Sequence, residues 1–197
     1  IITNAATGEN KEYKTEDLFI SAQLCLTFGN LVYFLTEHGF TNDNNIAECK
    51  NIVHLLSSKY SCVNLSNWNL NNADLSYAYF DHANLNDAHL ENAYLAFAFL
   101  FRANLNRTHL NGTHLEGANL EDAYLYDANL EGAYLEDANM VHAHLEGANL
   151  MGANLRGTNF KGAHMEAVYL EDASLEFANL SNAHLNYAYL QFANLKR

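Results

Sequence analysis

A mainly β tube of stacked coils is the fold the sequence predicts for residues 63–197. A polar leader and a small α-helical cap are expected before it, over residues 1–62. Three observations lead there. Leu, Phe or Met stands at position 65 and at every fifth position to 195, 27 units without an insertion. Ala stands two residues before each of these, with Val63, Trp68, Thr108, Thr113, Thr158 and Val168 as the departures. A period of five also matches neither the helical repeat of about 3.6 residues nor the strand repeat of about 2.

Residues 1–14 are polar and read as a loose leader. Thr15 followed by Glu16 and Asp17 suits a helix N-terminus, with a side-chain cap and negative charge in the first turn. Gly39 is a natural stop. Between them, "LFISAQLCLTFGNLVYFLT" (18–36) carries no charge and is long enough to span a bilayer. Ser21, Gln23, Thr27, Gly29 and Asn30 interrupt it and no basic flank orients it, so a buried helix, or a helix pair broken near Gly29-Asn30, is expected instead. After "TNDNN" a second helix is expected from about Ile46 to Ser58, where Ile46, Cys49, Ile52, Val53 and Leu56 keep helical spacing.

From Val63 the register locks. In extended backbone, residues two apart point the same way, so each Ala shares a side with the Leu that follows it. Five is odd, and a straight strand would throw the next Leu to the opposite face. All the Leu-class residues stay inside only if the chain turns a corner in every unit, which winds it into a tube around a packed column. Leu65, Leu85, Leu105, Leu130, Leu150, Phe160 and Leu180 sample that core along its length. Ala beside the column leaves room where a larger side chain would crowd the neighbouring wall. Trp68, in the first coil, has no earlier wall to crowd and can plug the end.

The units "AYLED", "AHLEG" and "ANLRG" follow A(D/N)LXX in tandem, and over residues 63–197 the chain resembles the pentapeptide repeat family. The resemblance implies a right-handed quadrilateral β-helix with four units to a coil. About seven coils at sheet spacing, ~4.8 Å, make a rod of roughly 30–35 Å.

With 20 residues to a coil, positions 20 apart stack in columns. Asn119, Asn139, Asn159 and Asn179 form one expected ladder. His144, His164 and His184 form another, with His142 nearby; no carboxylate in that column completes a metal site, so a solvated polar ladder is expected and no metal or cofactor. Tyr77, Tyr79, Phe97, Phe99 and Phe101 cluster at one corner of the first two coils, an aromatic patch large enough to be covered by something. The N-terminal helices are its expected cover, and a partner protein or second subunit the alternative. Glu116, Glu121, Asp122, Glu136 and Asp137 form an acidic wall. Glycines such as Gly112, Gly117, Gly147 and Gly157 close their units, where a tight corner explains them. At the far end Tyr187, Tyr189 and Phe192 suit a contact, and the open edge of the last coil invites pairing.

The formal charge of −13 excludes a sequence-independent grip on nucleic-acid phosphates, which requires Lys and Arg. Residues 63–197 hold 16 acidic and 6 basic side chains. There is no proline, and the three cysteines, Cys25, Cys49 and Cys62, lack CxxC spacing, which reads as reduced thiols in a cytoplasmic protein; the family resemblance implies a bacterial origin. No nucleophile elbow, phosphate-cradling loop or metal-ligand motif appears, and units without insertions leave no concave pocket for catalysis. The expected function is therefore non-catalytic: a protein–protein interaction scaffold, with a homodimer through the N-terminal helices or the open C-terminal coil among its modes. The resemblance offers a second reading, an acidic DNA mimic that binds DNA gyrase as quinolone-resistance relatives do, and a third, a secreted bacterial effector.

Overall fold

The computed structural model describes residues 64–196 and the backbone of one short pairing near the start. That pairing joins β1 (Ile2–Thr3) to β2 (Asn10–Lys11), antiparallel, with Ile2 opposite Lys11 and Thr3 opposite Asn10. Part of the leader expected to be loose is thus a small β pairing. The helices expected over 15–58, the candidate span 18–36 and Val63 lie outside the described residues.

From Asn64 onward each unit contributes one bridging residue, the one before its central residue. Asn64 pairs in parallel with Asn84, Asn69 with His89, Asp74 with Tyr94 and Tyr79 with Phe99, and the 20-residue offset persists to Ser174 and Asn194. Four units therefore make one coil with four sides, which begin at Leu65, Leu70, Leu75 and Phe80 and are called first to fourth below.

Local hydrogen bonding explains why a unit has five residues. The Leu65 N–H donates to the Asn84 carbonyl of the next coil at 2.7 Å, and the Asn67 N–H to the Asn86 carbonyl at 3.0 Å. Between them the Trp68 N–H folds back onto the Leu65 carbonyl at 3.1 Å, which closes a turn. The third residue of that turn has positive φ, 62° at Asn67, as a type II turn requires. The Ser66 N–H is left over, and the Asn64 side chain accepts it at 3.2 Å. Asn149 does the same for Met151 at 3.0 Å and Asn159 for Lys161 at 3.2 Å. Asn before the central residue thus satisfies a donor that neither the turn nor the ladder reaches.

Every central side chain from Leu65 to Leu175 is at most 2 % exposed, and so is nearly every Ala beside it. Each such Leu contributes about 1.5–3 kcal/mol by leaving water. Phe80 and Phe160 fit the same column, and Trp68 is buried in the first coil. Thr108, Thr113 and Thr158 replace Ala without burying a bare hydroxyl. They donate to the carbonyls of Leu85, Leu90 and Leu135 in the preceding coil, at 2.8, 2.8 and 2.7 Å. Leu180, expected in the core, is only partly buried, as are Leu185 and Leu190. Among the described residues these have a coil on one side and none on the other.

The corners correct one expectation. Positive φ is not confined to glycine: Asn72, Asp87, Phe97, Arg107 and Ala167 occupy the same turn position with φ of 54–57°. Glycine answers a different demand at several corners. A Cβ at Gly117 would meet the Phe97 ring of the preceding coil at 2.5 Å, and one at Gly147 would meet Asp127 Oδ1 at 2.5 Å. At these corners glycine stands where the side chain one coil earlier leans over the backbone, whereas Gly132 and Gly152 have nothing within 4 Å of an added Cβ.

Candidate interaction surface

The five expected aromatic residues do meet at one corner, between the third and fourth sides. Tyr77 stacks on Phe97 with ring centroids 5.3 Å apart, and Tyr79 on Phe99 at 4.7 Å and 2° between planes. Phe101 is half-buried beside them, with Arg102 over its face at 4.8 Å and the edge of His82 at 5.5 Å. Tyr77 and Phe97 are 60 % and 52 % exposed, so more than half of each ring faces solvent. Both sit at positive φ, 60° and 57°, a conformation in which bulky side chains are uncommon and which costs about 1–2 kcal/mol. Equivalent corners carry Asn, Asp or Gly at positions such as Asn92, Asp137 and Gly157, but also Arg107, His142, Phe177, Tyr187 and Phe192. The left-handed turn is thus common to the corners, and what sets Tyr77 and Phe97 apart is their stacking next to Tyr79 and Phe99. A stacked pair of this kind is worth about 0.5–1.5 kcal/mol beyond burial, which offsets part of the strain.

The acidic wall is assembled but not bare. Glu116 lies 2.9 Å from His114 Nδ1, and Glu121 accepts from the Asn139 amide at 3.2 Å. Asp122 accepts from Arg102 Nε at 3.1 Å, and Glu136 accepts from the Asn154 amide. Asp137 leans over Gly157. Four of the five are half-buried, and the wall is largely engaged by neighbouring side chains. One coil earlier on the same rod, Arg107 grips Asp87 through two bonds of 2.8 Å, and that hydrogen bonding holds the Asp87 carboxyl below the usual range.

The Asn ladder is real in part. The Asn139 amide donates to Asn119 at 3.0 Å and the Asn179 amide to Asn159 at 3.0 Å. On the first side His144, His164 and His184 lie one above another as the 20-residue spacing requires: His144 stacks on His164 with centroids 4.6 Å apart, and His184 is tilted by 57° against His164 at 4.8 Å. His142 stands apart, over Gly162 at the neighbouring corner. Carboxylates do reach this column, however. Glu146 lies 3.3 Å from His144 and Glu166 lies 3.4 Å from His184. The expectation that no carboxylate accompanies the histidines considered only residues 20 apart. The signal was the His-x-Glu triplet, in which residues two apart share a face. Tyr126, likewise unexpected, sets its hydroxyl 3.0 Å from His144 Nδ1, and burial, then the Glu146 charge, push its pKa up.

A family model for pentapeptide repeats matches residues 61–96, 69–107, 98–137, 128–166 and 163–197, with eight copies. The chain belongs to the pentapeptide repeat family. Solved structures of the same kind are similar to it. HetL, a pentapeptide repeat protein involved in heterocyst differentiation regulation from the cyanobacterium Nostoc, is 29 % identical over 66 % of this chain and 75 % of its own, with a TM-score of 0.31. A pentapeptide repeat protein from the Arabidopsis thaliana thylakoid lumen is 26 % identical over 51 % and 69 %, with a TM-score of 0.41. Full-length QnrB1, a plasmid-mediated fluoroquinolone resistance protein, is 14 % identical over 63 % and 70 %, with a TM-score of 0.36. No curated protein matches the chain. The family thus rests on the repeats themselves, and with it a mainly β repeat rod. Among the described residues no helix is long and apolar enough to cross a membrane.

Proposed function

We propose that this pentapeptide repeat protein is a non-catalytic scaffold whose rod presents columns of side chains to another protein. One observation carries the reading: Tyr77 and Phe97 are exposed and stacked beside the stacked pair Tyr79 and Phe99. Exposed aromatic clusters mark contact surfaces. The right-handed winding implied by the resemblance, a helical cap over 15–58 and a cytoplasmic location belong to the same proposal.

The DNA-mimic reading draws support from the acid on the third and fourth sides. Its weakness is charge density. Duplex DNA carries a charge about every 1.7 Å of its axis, whereas 16 acids here are offset by 6 bases and several are engaged by His114, Arg102, Asn139 and Asn154. A secreted effector would also need a rigid contact surface, and the same aromatic corner would serve it.

The test places a photo-crosslinking residue at Tyr79 and compares the full chain with a Phe97→Asn/Phe99→Asn variant in bacterial lysate. Asn suits both positions, because Asn92 occupies an equivalent corner and Asn119 continues the Phe99 column. Crosslinks to a defined protein that vanish in the variant, with an unchanged circular dichroism melt, are the expected result. Identical crosslinks from both proteins would refute the aromatic corner as the contact. A parallel gyrase supercoiling assay with quinolone should show no inhibition at micromolar protein. Potent inhibition that is lost on neutralising Glu116, Asp122 and Glu136 would replace the scaffold with the mimic.

A further inference from the structure

The first side of the rod carries three imidazoles and two carboxylates in three successive coils. His144, His164 and His184 occupy one column; Glu146 and Glu166 occupy the next, across the inward Leu145 and Met165. One donor atom each from His164, Glu166 and His184 lie within 4.8 Å of one another, and the same holds for His144, Glu146 and His164. We propose that this histidine–glutamate ladder binds a divalent transition-metal ion of the zinc class, held by two imidazoles of adjacent coils and the carboxylate beside them.

Donor spacing is the first argument. Zinc takes imidazole nitrogen and carboxylate oxygen at about 2.0–2.2 Å, which sets donors on a tetrahedron about 3.4 Å apart. The observed contacts are 3.4 Å for His184 Nδ1 to Glu166 Oε1 and 3.3 Å for His144 Nδ1 to Glu146 Oε1. A charge-assisted hydrogen bond would close to about 2.7–2.9 Å. Small side-chain rotations bring the remaining donor into place, since the backbone already spaces the rings.

An orphaned oxygen is the second. Glu146 Oε2 and Glu166 Oε2 are shielded from solvent and have no hydrogen-bond partner, a costly state for a carboxylate. The same orphan occurs at Glu91, Glu116, Glu136 and Glu171; of these only Glu91 has imidazoles of two adjacent coils beside it, His89 and His109. On the first side the two features coincide, so an ion there would neutralise the carboxylate and use the imidazoles together. His89, Glu91 and His109 form a like group on the second side, with rings 4.5 Å apart.

Ligand chemistry is the third. Imidazole with carboxylate suits zinc, copper and nickel, whereas calcium and magnesium take oxygen alone. Three protein donors leave a fourth position open to water or to a side chain from a partner. The His164–Glu166–His184 triad is the stronger of the two, because the Tyr126 hydroxyl at 3.0 Å competes for His144 Nδ1 in the other. His164 belongs to both triads, so a single substitution addresses either.

The experiment titrates zinc into the full chain and into His164→Asn by calorimetry, with imidazole nitrogen chemical shifts as a second readout. Asn suits the column, which carries Asn64, Asn84 and Asn104, and an unchanged circular dichroism melt confirms the fold. Zinc held by Cys25, Cys49, Cys62 or the second-side histidines contributes equally to both proteins and cancels in the comparison. Loss of one equivalent in His164→Asn, at least about 100-fold weaker binding at that site, is expected, since changes to outer partners alone cost about 10–100-fold. Glu166→Gln should weaken the same equivalent and His142→Asn should leave it intact. Equal stoichiometry and affinity in wild type and His164→Asn, or an equal loss in His142→Asn, would overturn the proposal.

Discussion

Replacing Leu130 by Ala tests the central column where it is most constrained. Leu130 is completely buried, with coils before and after it. Its N–H donates to the Asn149 carbonyl at 2.7 Å and its carbonyl accepts from Ala133 at 3.0 Å. Ala keeps both bonds, so the change removes packing alone. Truncation of a fully buried Leu costs about 2.7–5 kcal/mol, the transfer term plus the cavity left behind. Leu110 and Leu150, one coil away on either side, are held by the backbone ladder and cannot move in to fill the space, which places Leu130→Ala in the upper part of that range. Leu185 is only half-buried in the last described coil, and Leu185→Ala should cost about 1–2 kcal/mol from transfer. At about 2–4 °C per kcal/mol for a chain of this size, circular dichroism melts should separate the two variants by several degrees. Each coil touches only its neighbours, so the two sites report independently. Equal shifts for the two variants, or a Leu130→Ala cost below about 1 kcal/mol, would refute the column as the rod's main support.

Three further outcomes follow from the corners, the core hydroxyls and the first side. Gly132→Ala adds a Cβ with nothing within 4 Å, so it should cost only the left-handed strain, about 1–2 kcal/mol; Gly157→Ala crowds the Asp137 carboxylate as well and should melt lower, with Asp137→Ala restoring the difference. Thr158→Val keeps the shape that Val168 shows to fit and removes the bond to the Leu135 carbonyl, so urea titration should find a loss of about 0.5–1.5 kcal/mol; no loss would mean that hydroxyl is not stabilising. Tyr126 is held protonated by burial and by Glu146, its folded pKa above its unfolded one. The stability it supports is complete below the ordinary tyrosine value of about 10 and falls as pH rises through the raised one. Tyr126→Phe should flatten that alkaline decline in a series of melts, and an unchanged decline would contradict the assignment.

Much of the rod was legible in the residue order. A Leu-class residue every fifth position and Ala two before it define a core, because extended backbone sends residues two apart to one side and an odd period demands a corner. The aromatic corner was legible too: once a coil has 20 residues, Tyr77 must lie beneath Phe97 and Tyr79 beneath Phe99. Contacts between columns needed the tertiary structure. His164 meets Glu166 and His184 because two side chains of one unit and one of the next coil converge on a wall; the His-x-Glu triplet carried that signal, which is lost when each column is taken by itself. Glycine was misread for a related reason. Every corner adopts the same left-handed turn, so local conformation does not choose between Gly and Asn. At several corners what chooses is the side chain one coil earlier, Phe97 over Gly117 or Asp127 over Gly147. Periodicity specifies the backbone path, while the cost of desolvating and crowding side chains is settled only where the coils meet.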